Sequence, residues 1–292
     1  MKIFDPIDLK NYLKSRNLRP KDYMGQNFLI DEDALNKIVD AADIKKTDTV
    51  LEVGPGLGVL TEELVKRAGK VIAVEKDEKL FRTLENEMRN TVNGSATRIV
   101  GRLPIRAAQT NNVLTLFNQD ILRFHLEKEL NGPYKVVANI PYYLTSKLFQ
   151  YFLEQKNKPE FLVLMVQKEV GERVVANPGK LSILAISVQV HADAEIVALV
   201  PKQSFWPTPE VDSVILKIIP KNKNPEIKDE KLFFRIVKTG FASKRKQLKN
   251  TIKDLEMLKK AGIDPSLRPQ DLSIEQWISL YNHFEQREKS LT

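Results

Sequence analysis

Short apolar runs alternate with amphipathic stretches through the first 170 residues. TVLEV (49–53), VIAVE (71–75), VLTLF (113–117), YKVVANI (134–140) and FLVLMVQ (161–167) read as buried strands. LTEELVKRA (60–68), EKLFRTLENEM (78–88) and SKLFQYFLE (146–154) place apolar residues at helical spacing between them. Apolar strands alternating with amphipathic helices predict a parallel sheet with helices on both faces. AEIVALV (194–200) and VDSVILKII (211–219), joined by a Pro-rich loop, predict an antiparallel pair that closes the sheet.

Ahead of this alternation, Asp31 is a candidate N-cap, and Ile30 with Leu35 suits a hydrophobic staple. Leu35, Ile38, Val39 and Ala42 continue the helix. Residues 1–23 are polar and basic with Pro20 as a breaker, which predicts a mobile arm. Residues 91–111 are longer than a usual helix–strand connection. They carry Arg98, Arg102 and Arg106 without an acid. The segment is expected to be a disordered or hairpin insertion, with an RNA-touching arm as the alternative. After Pro220 the strand pattern stops. Phe233, Phe234, Val237 and Phe241 recur at helical spacing, and Ser273 with Gln276 forms a capping box ahead of WISLYNHF. The expected domains are 1–220, an α/β unit with an N-terminal arm, and 221–292, a small helical unit.

Composition narrows the chemistry. A chain of 292 residues buries roughly three quarters of its surface without staples. It contains no Cys and only three His, which excludes disulfides, thiolate metal sites and a cysteine nucleophile, so no metal is expected. The missing Cys fits a cytoplasmic protein, and no apolar run reaches the ~20 residues needed to cross a bilayer. Net charge is +8. Residues 221–292 hold 16 Lys/Arg against 10 Asp/Glu, so most of the excess lies there. Such a distribution suits either an anionic polymer or a merely solvated face.

LEVGPGLGVLTEEL (51–64) is the strongest local signal: a strand, a glycine-rich turn, then a helix. Gly54, Gly56 and Gly58 permit close approach of the backbone to a ligand. The spacing is E-x-G-x-G-x-G, unlike the dinucleotide G-x-G-x-x-G. Glu75 ends the next strand about twenty residues on, where a carboxylate can accept from ribose hydroxyls. The combination resembles the Rossmann-like fold of S-adenosylmethionine-dependent methyltransferases. In that fold Asp120, after the third strand, would lie at the adenine end of the cofactor; it equally fits a helix N-cap.

The fourth strand ends in Asn139-Ile140-Pro141-Tyr142. Pro141 fixes its own φ and pushes Ile140 toward an extended conformation. The Asn139 side-chain oxygen and the Ile140 carbonyl can then accept the two hydrogens of an exocyclic amine, and Tyr142 offers a face for stacking a base. An adenine N6 lone pair is delocalised into the ring and attacks poorly. Acceptors on its hydrogens return density to nitrogen, so positioning and electrostatics carry the rate.

In order along the chain, GQNFLID (25–31), EVGPGLG (52–58), VIAVEKD (71–77), NQDIL (118–122), NIPYYLTS (139–146), VQKEVGERV (166–174), FWPTPEVDS (205–213) and FASKRKQLKN (241–250) closely resemble the KsgA (RsmA) family of small-subunit ribosomal RNA adenine dimethyltransferases. The resemblance implies S-adenosylmethionine as cofactor. It places Asn27 and Leu29 over its methionine end, Gly54 beneath it, Glu75 at the ribose and Asp120 at the adenine. Asn139 stands between cofactor and target, and Tyr142 and Phe205 hold the target base. Lys244, Arg245 and Lys246, with Lys249 and Lys253, would meet phosphates, giving steep salt dependence. The implied substrate is a pair of neighbouring adenines in a hairpin near the 3′ end of small-subunit rRNA, met within an assembling 30S particle by a monomer. Each N6 takes two methyls. The 91–111 segment is longer than the family usually carries there.

Three other functions stay open on sequence grounds. The related Erm group methylates large-subunit rRNA and shares the cofactor and NIPY-type motifs. A non-catalytic nucleic-acid-binding relative would keep the fold. A small-molecule methyltransferase would lack salt-dependent RNA affinity.

Overall fold

In the computed structural model of the chain, residues 4–21, 24–91, 97–100, 113–221, 226–243 and 245–290 are described. Along the chain the elements are α1 (Pro6–Ser15), β1 (Phe28–Leu29), α2 (Glu32–Ala42), β2 (Thr49–Val53), α3 (Val59–Arg67), β3 (Lys70–Glu75) and α4 (Glu78–Thr91). Next come β4 (Thr97–Val100), β5 (Val113–Asn118), α5 (Leu126–Glu129), β6 (Lys135–Asn139), α6 (Thr145–Leu153), β7 (Leu162–Gln167), α7 (Lys168–Val174) and α8 (Ile183–Gln189). The last elements are β8 (Ala192–Val200), β9 (Phe205–Trp206), β10 (Ser213–Pro220), α9 (Glu230–Gly240), α10 (Leu248–Thr251), α11 (Leu255–Lys260) and α12 (Ile274–Ser290).

The main sheet has the order β4-β5-β3-β2-β6-β7-β10-β8. All neighbouring pairs from β4 to β7 are parallel, and β10 runs antiparallel to β7. From β2 the chain steps outward to β3 and β5, then returns to the other side of β2 as β6. Strand order therefore reverses between β2 and β6. In an open parallel sheet this reversal leaves a crevice at the carboxyl ends of the two strands, and both motifs singled out from the sequence, the glycine turn and Asn139–Tyr142, start there.

The strands are apolar on both faces because helices cover both. Val50, Val71, Val137, Val163 and Met165 are buried with Leu35, Ile38, Leu64 and Leu84 from the helices in one cluster. α2 opens as expected: the Asp31 side chain accepts from the Ala34 N–H at 3.0 Å.

Two expectations fail. The N-terminal arm contains a helix. Asp5 caps α1 by accepting from Ile7 and Asp8, and Pro6 occupies the first turn, where a missing N–H is harmless. Leu9 and Leu13, one turn apart, pack with Leu57, Leu80 and Trp206. The basic residues mask this stripe in a composition-based reading. The 91–111 segment is also not purely irregular: its residues 97–100 form β4, paired parallel with β5 from Thr97↔Leu114 to Val100↔Phe117. Arg102 and Arg106, on which the RNA-arm alternative rests, lie outside the described residues.

Backbone contacts divide the chain into two compact units, 1–171 with 195–220, and 172–194 with 221–292. A single cut at 220 misses the excursion 172–194. The second unit has its own core, in which Ala185 and Ile186 of α8 join Phe233, Val237, Leu258, Trp277 and Tyr281. The expected capping box is present: Ser273 N–H donates to Gln276 Oε1 at 2.9 Å, and Gln276 N–H donates to Ser273 Oγ at 3.3 Å.

Candidate functional site

At the crevice between β2 and β6 the first unit holds a cavity of about 120 Å³. One water needs roughly 10–15 Å³ on such a measure, so the space suits an organic ligand. Its walls include Asn27, Leu29, Gly54, Glu75, Asp120, Asn139, Ile140, Tyr142 and Phe205. Nine of the sequence-selected residues therefore meet at one place.

The glycine turn forms the floor. Gly54, Gly56 and Gly58 have φ of +67°, +60° and +85°, which side-chain-bearing residues adopt only with strain. A Cβ on Gly58 would lie 2.3 Å from Leu84 Cδ1, so this glycine also lets α4 pack against the turn. Glu75 closes the turn from the side. Its Oε2 accepts from the Gly56 N–H at 3.1 Å and its Oε1 from the Asp77 N–H at 2.7 Å. The residue is 6 % exposed. Burial pushes its carboxyl above the ordinary value, and the two backbone N–H groups only partly oppose this. Each oxygen keeps a lone pair for a ligand hydroxyl.

Asp120 fills the cap role weighed from sequence. Its Oδ1 accepts from the Leu122 N–H at 3.0 Å as a cap, and Lys76 Nζ lies 2.9 Å from Oδ2. Although burial opposes the charge, the Lys76 and Leu122 hydrogen bonds hold the carboxyl below its usual range. It is still part of the cavity wall.

On the opposite side, Asn139 ends β6 in register with Met165 of β7. No hydrogen bond from its side chain to the protein is present among the described residues. Tyr142 is different: its hydroxyl and Ser213 Oγ are 2.9 Å apart. Burial raises its phenol pKa against that bond. Tyr143, beside it at the cavity wall, is 51 % exposed.

The GQNFLID segment packs onto both halves. A Cβ at Gly25 would touch Pro141, Tyr142 and Tyr143 at 3.8 Å. Gln26 Nε2 donates to Asp77 Oδ2 at 3.2 Å, and Lys21 Nζ lies 2.6 Å from the same oxygen. β1 pairs antiparallel with β9, setting Leu29 opposite Phe205. Phe205 is 1 % exposed. It is a buried part of the cavity wall.

Arg245 and Lys246 belong to the second unit and are exposed. Lys244 lies outside the described residues.

Sequence reasoning missed one acid. Glu52, within EVGPGLG, is 2 % exposed and is part of the cavity wall. Burial pushes its carboxyl up to about 8; the Glu75 charge adds to the shift and the nearby Thr61 hydroxyl opposes it. The available signal was an acid inside a strand already read as buried.

The donor set tests the implied cofactor. The ionisable groups of the wall are Glu52, Glu75, Asp120, Lys76, Tyr142 and Tyr143, and the one lysine is paired with Asp120. A pyrophosphate would meet uncompensated carboxyls, whereas an adenosyl group bearing a positive charge finds acceptors and apolar walls. The residues fit the latter. Among the described residues no cluster of His, Cys, Asp and Glu could hold a metal, and no helix is long and apolar enough to cross a membrane.

Parallel sheet order, crevice position and glycine turn together define a Rossmann-like methyltransferase fold. The family model for ribosomal RNA adenine dimethylase matches residues 17–286, and the chain belongs to that family. A relative in Dehalococcoides mccartyi, named ribosomal RNA small subunit methyltransferase A, is 43% identical over 283 residues, covering 93% of this chain and 90% of that one. Among solved structures, a dimethyladenosine transferase from Plasmodium falciparum aligns with a TM-score of 0.73 at 26% identity, over 89% of this chain and 98% of that one. The 23S rRNA methyltransferase ErmE aligns with a TM-score of 0.67 at 23% identity, over 89% and 100%, a likeness of fold.

Proposed function

We propose that the chain transfers methyl groups from S-adenosylmethionine to N6 of two adjacent adenines near the 3′ end of small-subunit rRNA, giving N6,N6-dimethyladenosine. The observation that carries this is the Asn139 amide at the end of β6, which makes no side-chain hydrogen bond among the described residues and lines one cavity with Gly54 and Glu75. The name of the D. mccartyi relative favours the small subunit over the large.

When bound, the cofactor supplies a methyl carbon on a positively charged sulfur, open to a nitrogen lone pair. Glu75 accepts from the ribose hydroxyls and Asp120 stands at the adenine, while Asn27, Leu29 and Gly54 enclose the methionine end. The Asn139 oxygen and the Ile140 carbonyl accept the hydrogens of the target amine and restore density to its nitrogen. Tyr142 presents its ring to the base. Ser213, bonded to the tyrosine hydroxyl, keeps that ring in one orientation, so less freedom is lost on binding. Phe205 closes the cavity from the β9 side. The proton leaves to solvent after transfer, and no strong base is required.

A paired adenine cannot reach such a cavity, so the target nucleotides must be splayed from their stack. Lys244, Arg245 and Lys246 meet phosphates and bring counterion release to binding. The setting is the cytoplasm, the substrate an rRNA within an assembling 30S particle, and the working form a monomer.

Purified protein incubated with labelled donor and separated ribosomal subunits tests the target. Label in small-subunit rRNA is expected. Label confined to large-subunit rRNA would place the activity with the Erm-type alternative.

A further inference from the structure

Glu52 sits in β2 two residues before the glycine turn, in register with Ala73 of β3 and Val137 of β6. Its strand neighbours therefore offer no polar side chain. Its Oε2 is enclosed without a hydrogen-bond partner among the described residues, and so is Oγ1 of Thr61 on α3. A native interior rarely leaves such atoms unanswered. The two residues flank the glycine turn, Glu52 near the end of β2 and Thr61 in the first turn of α3, and Glu52 is part of the cavity wall.

The groups facing Glu52 explain what it lacks. From α3 comes the neutral Thr61, and from β3 comes Glu75, another acid. β6 contributes the neutral Asn139 to the wall, and α2 and the 24–29 segment contribute no ionisable side chain to it. Lys76 pairs with Asp120. An ionised Glu52 would thus be a buried charge without a counterion, a state that a carboxyl avoids by binding a proton.

We propose that Glu52 makes the cavity selective for a positively charged ligand: the carboxyl holds a proton in the free protein and releases it to solvent as the cation enters. The inference rests on the methyl-donor reading of the cavity. The balance is simple. A neutral acid and a cation become an ion pair, and one proton passes to the buffer. Burial, which favours the neutral acid in the free protein, strengthens the ion pair once the cation is in place. The direction follows from linkage: donor affinity rises with pH, by up to tenfold per unit below the free protein's carboxyl titration, and levels off above about pH 8.

The test is calorimetric and needs no turnover. S-adenosylmethionine and, separately, adenosine are titrated into the full chain at pH 7 in buffers of different ionisation enthalpy. The dependence of heat on buffer gives the protons released. The ligand's own α-amine titrates near pH 8, so the informative quantity is the difference between wild type and Glu52→Gln, which keeps the shape and stays neutral. Wild type should release close to one proton more than Glu52→Gln per S-adenosylmethionine bound, and none with adenosine. Equal proton counts for the two proteins, with binding retained, would overturn the inference and leave the donor reading intact. Failure of the wild type to bind S-adenosylmethionine at all would overturn both. Should Glu52→Gln not fold, the wild-type contrast between the two ligands decides alone: the same release with uncharged adenosine contradicts the proposal.

Discussion

The two sides of the crevice are built differently. On the donor side, Glu75 is locked by backbone N–H groups from Gly56 and Asp77, and three glycines with positive φ shape the turn beneath it. On the acceptor side, Asn139 makes no side-chain hydrogen bond to the protein among the described residues, and the Tyr142 hydroxyl is hydrogen-bonded to Ser213. On the proposed reading, the Glu75 carboxyl is already held by backbone N–H groups before a ligand arrives, whereas the Asn139 amide meets its partner only when the base enters. That is the expected division where a tightly held cofactor must meet a base that arrives only after leaving its stack. Binding residues should then affect donor affinity, and the open amide should affect the transfer itself.

The largest effect expected falls on the acceptor side. Asn139→Ala removes the proposed acceptor, which on this reading acts as charge develops on the nitrogen, so single-turnover transfer should drop about 10²–10³-fold. Donor affinity, measured by calorimetry on the same sample, should change little. Equal losses in both would erase the distinction between the two halves.

Glu75→Ala acts on the other half. It removes the proposed ribose acceptor and strands two backbone N–H groups, at about 1–3 kcal/mol. Donor affinity should fall roughly 10–100-fold, read by titration calorimetry. Retention of full affinity would mean that the carboxylate serves only to brace the turn.

Glu52 gives a pH signature without any ligand. Its carboxyl titrates near 4.5 when unfolded and at about 8 when folded. Between those values the folded state binds the extra proton, so stability falls as pH rises, by at most about 1.4 kcal/mol per unit, and levels off above pH 8. Comparing thermal unfolding of wild type and Glu52→Gln from pH 5 to 8 isolates this slope. Parallel curves would show that the acid is already ionised.

The smallest effect belongs to Tyr142→Phe, which keeps the ring and loses the bond to Ser213. One hydrogen bond contributes about 1 kcal/mol, so transfer should slow about fivefold. A collapse comparable to that of Asn139→Ala would give the hydroxyl a direct part in the chemistry.

Much of this arrangement was legible in the chain. TVLEV is β2 to the residue, and β3, β5, β6 and β7 agree with the expected strands within a residue or two, because burial on both faces writes itself as a continuous apolar run. The cavity wall was legible because its residues fall at strand ends within short motifs. What escaped has physical reasons. α1 hides two buried leucines among lysines, so composition pointed to an arm. β4 is a four-residue edge strand whose partner β5 follows it in sequence, so no pattern within 97–100 reveals it. The grouping of 172–194 with the second unit depends on contacts between residues far apart in sequence, beyond the reach of local periodicity. Glu52 was passed over because an acid inside a buried strand looks like an exception, and its surroundings become visible only once the strands and α3 are packed.

The central claim is that this crevice joins a bound methyl donor to adenine N6. Purified protein, S-adenosylmethionine and small-subunit rRNA lacking the modification should be incubated, and the digested RNA analysed by mass spectrometry. The account predicts N6,N6-dimethyladenosine at two neighbouring positions. Methylation appearing instead on a ribose or another base, or no product despite donor binding, would contradict it.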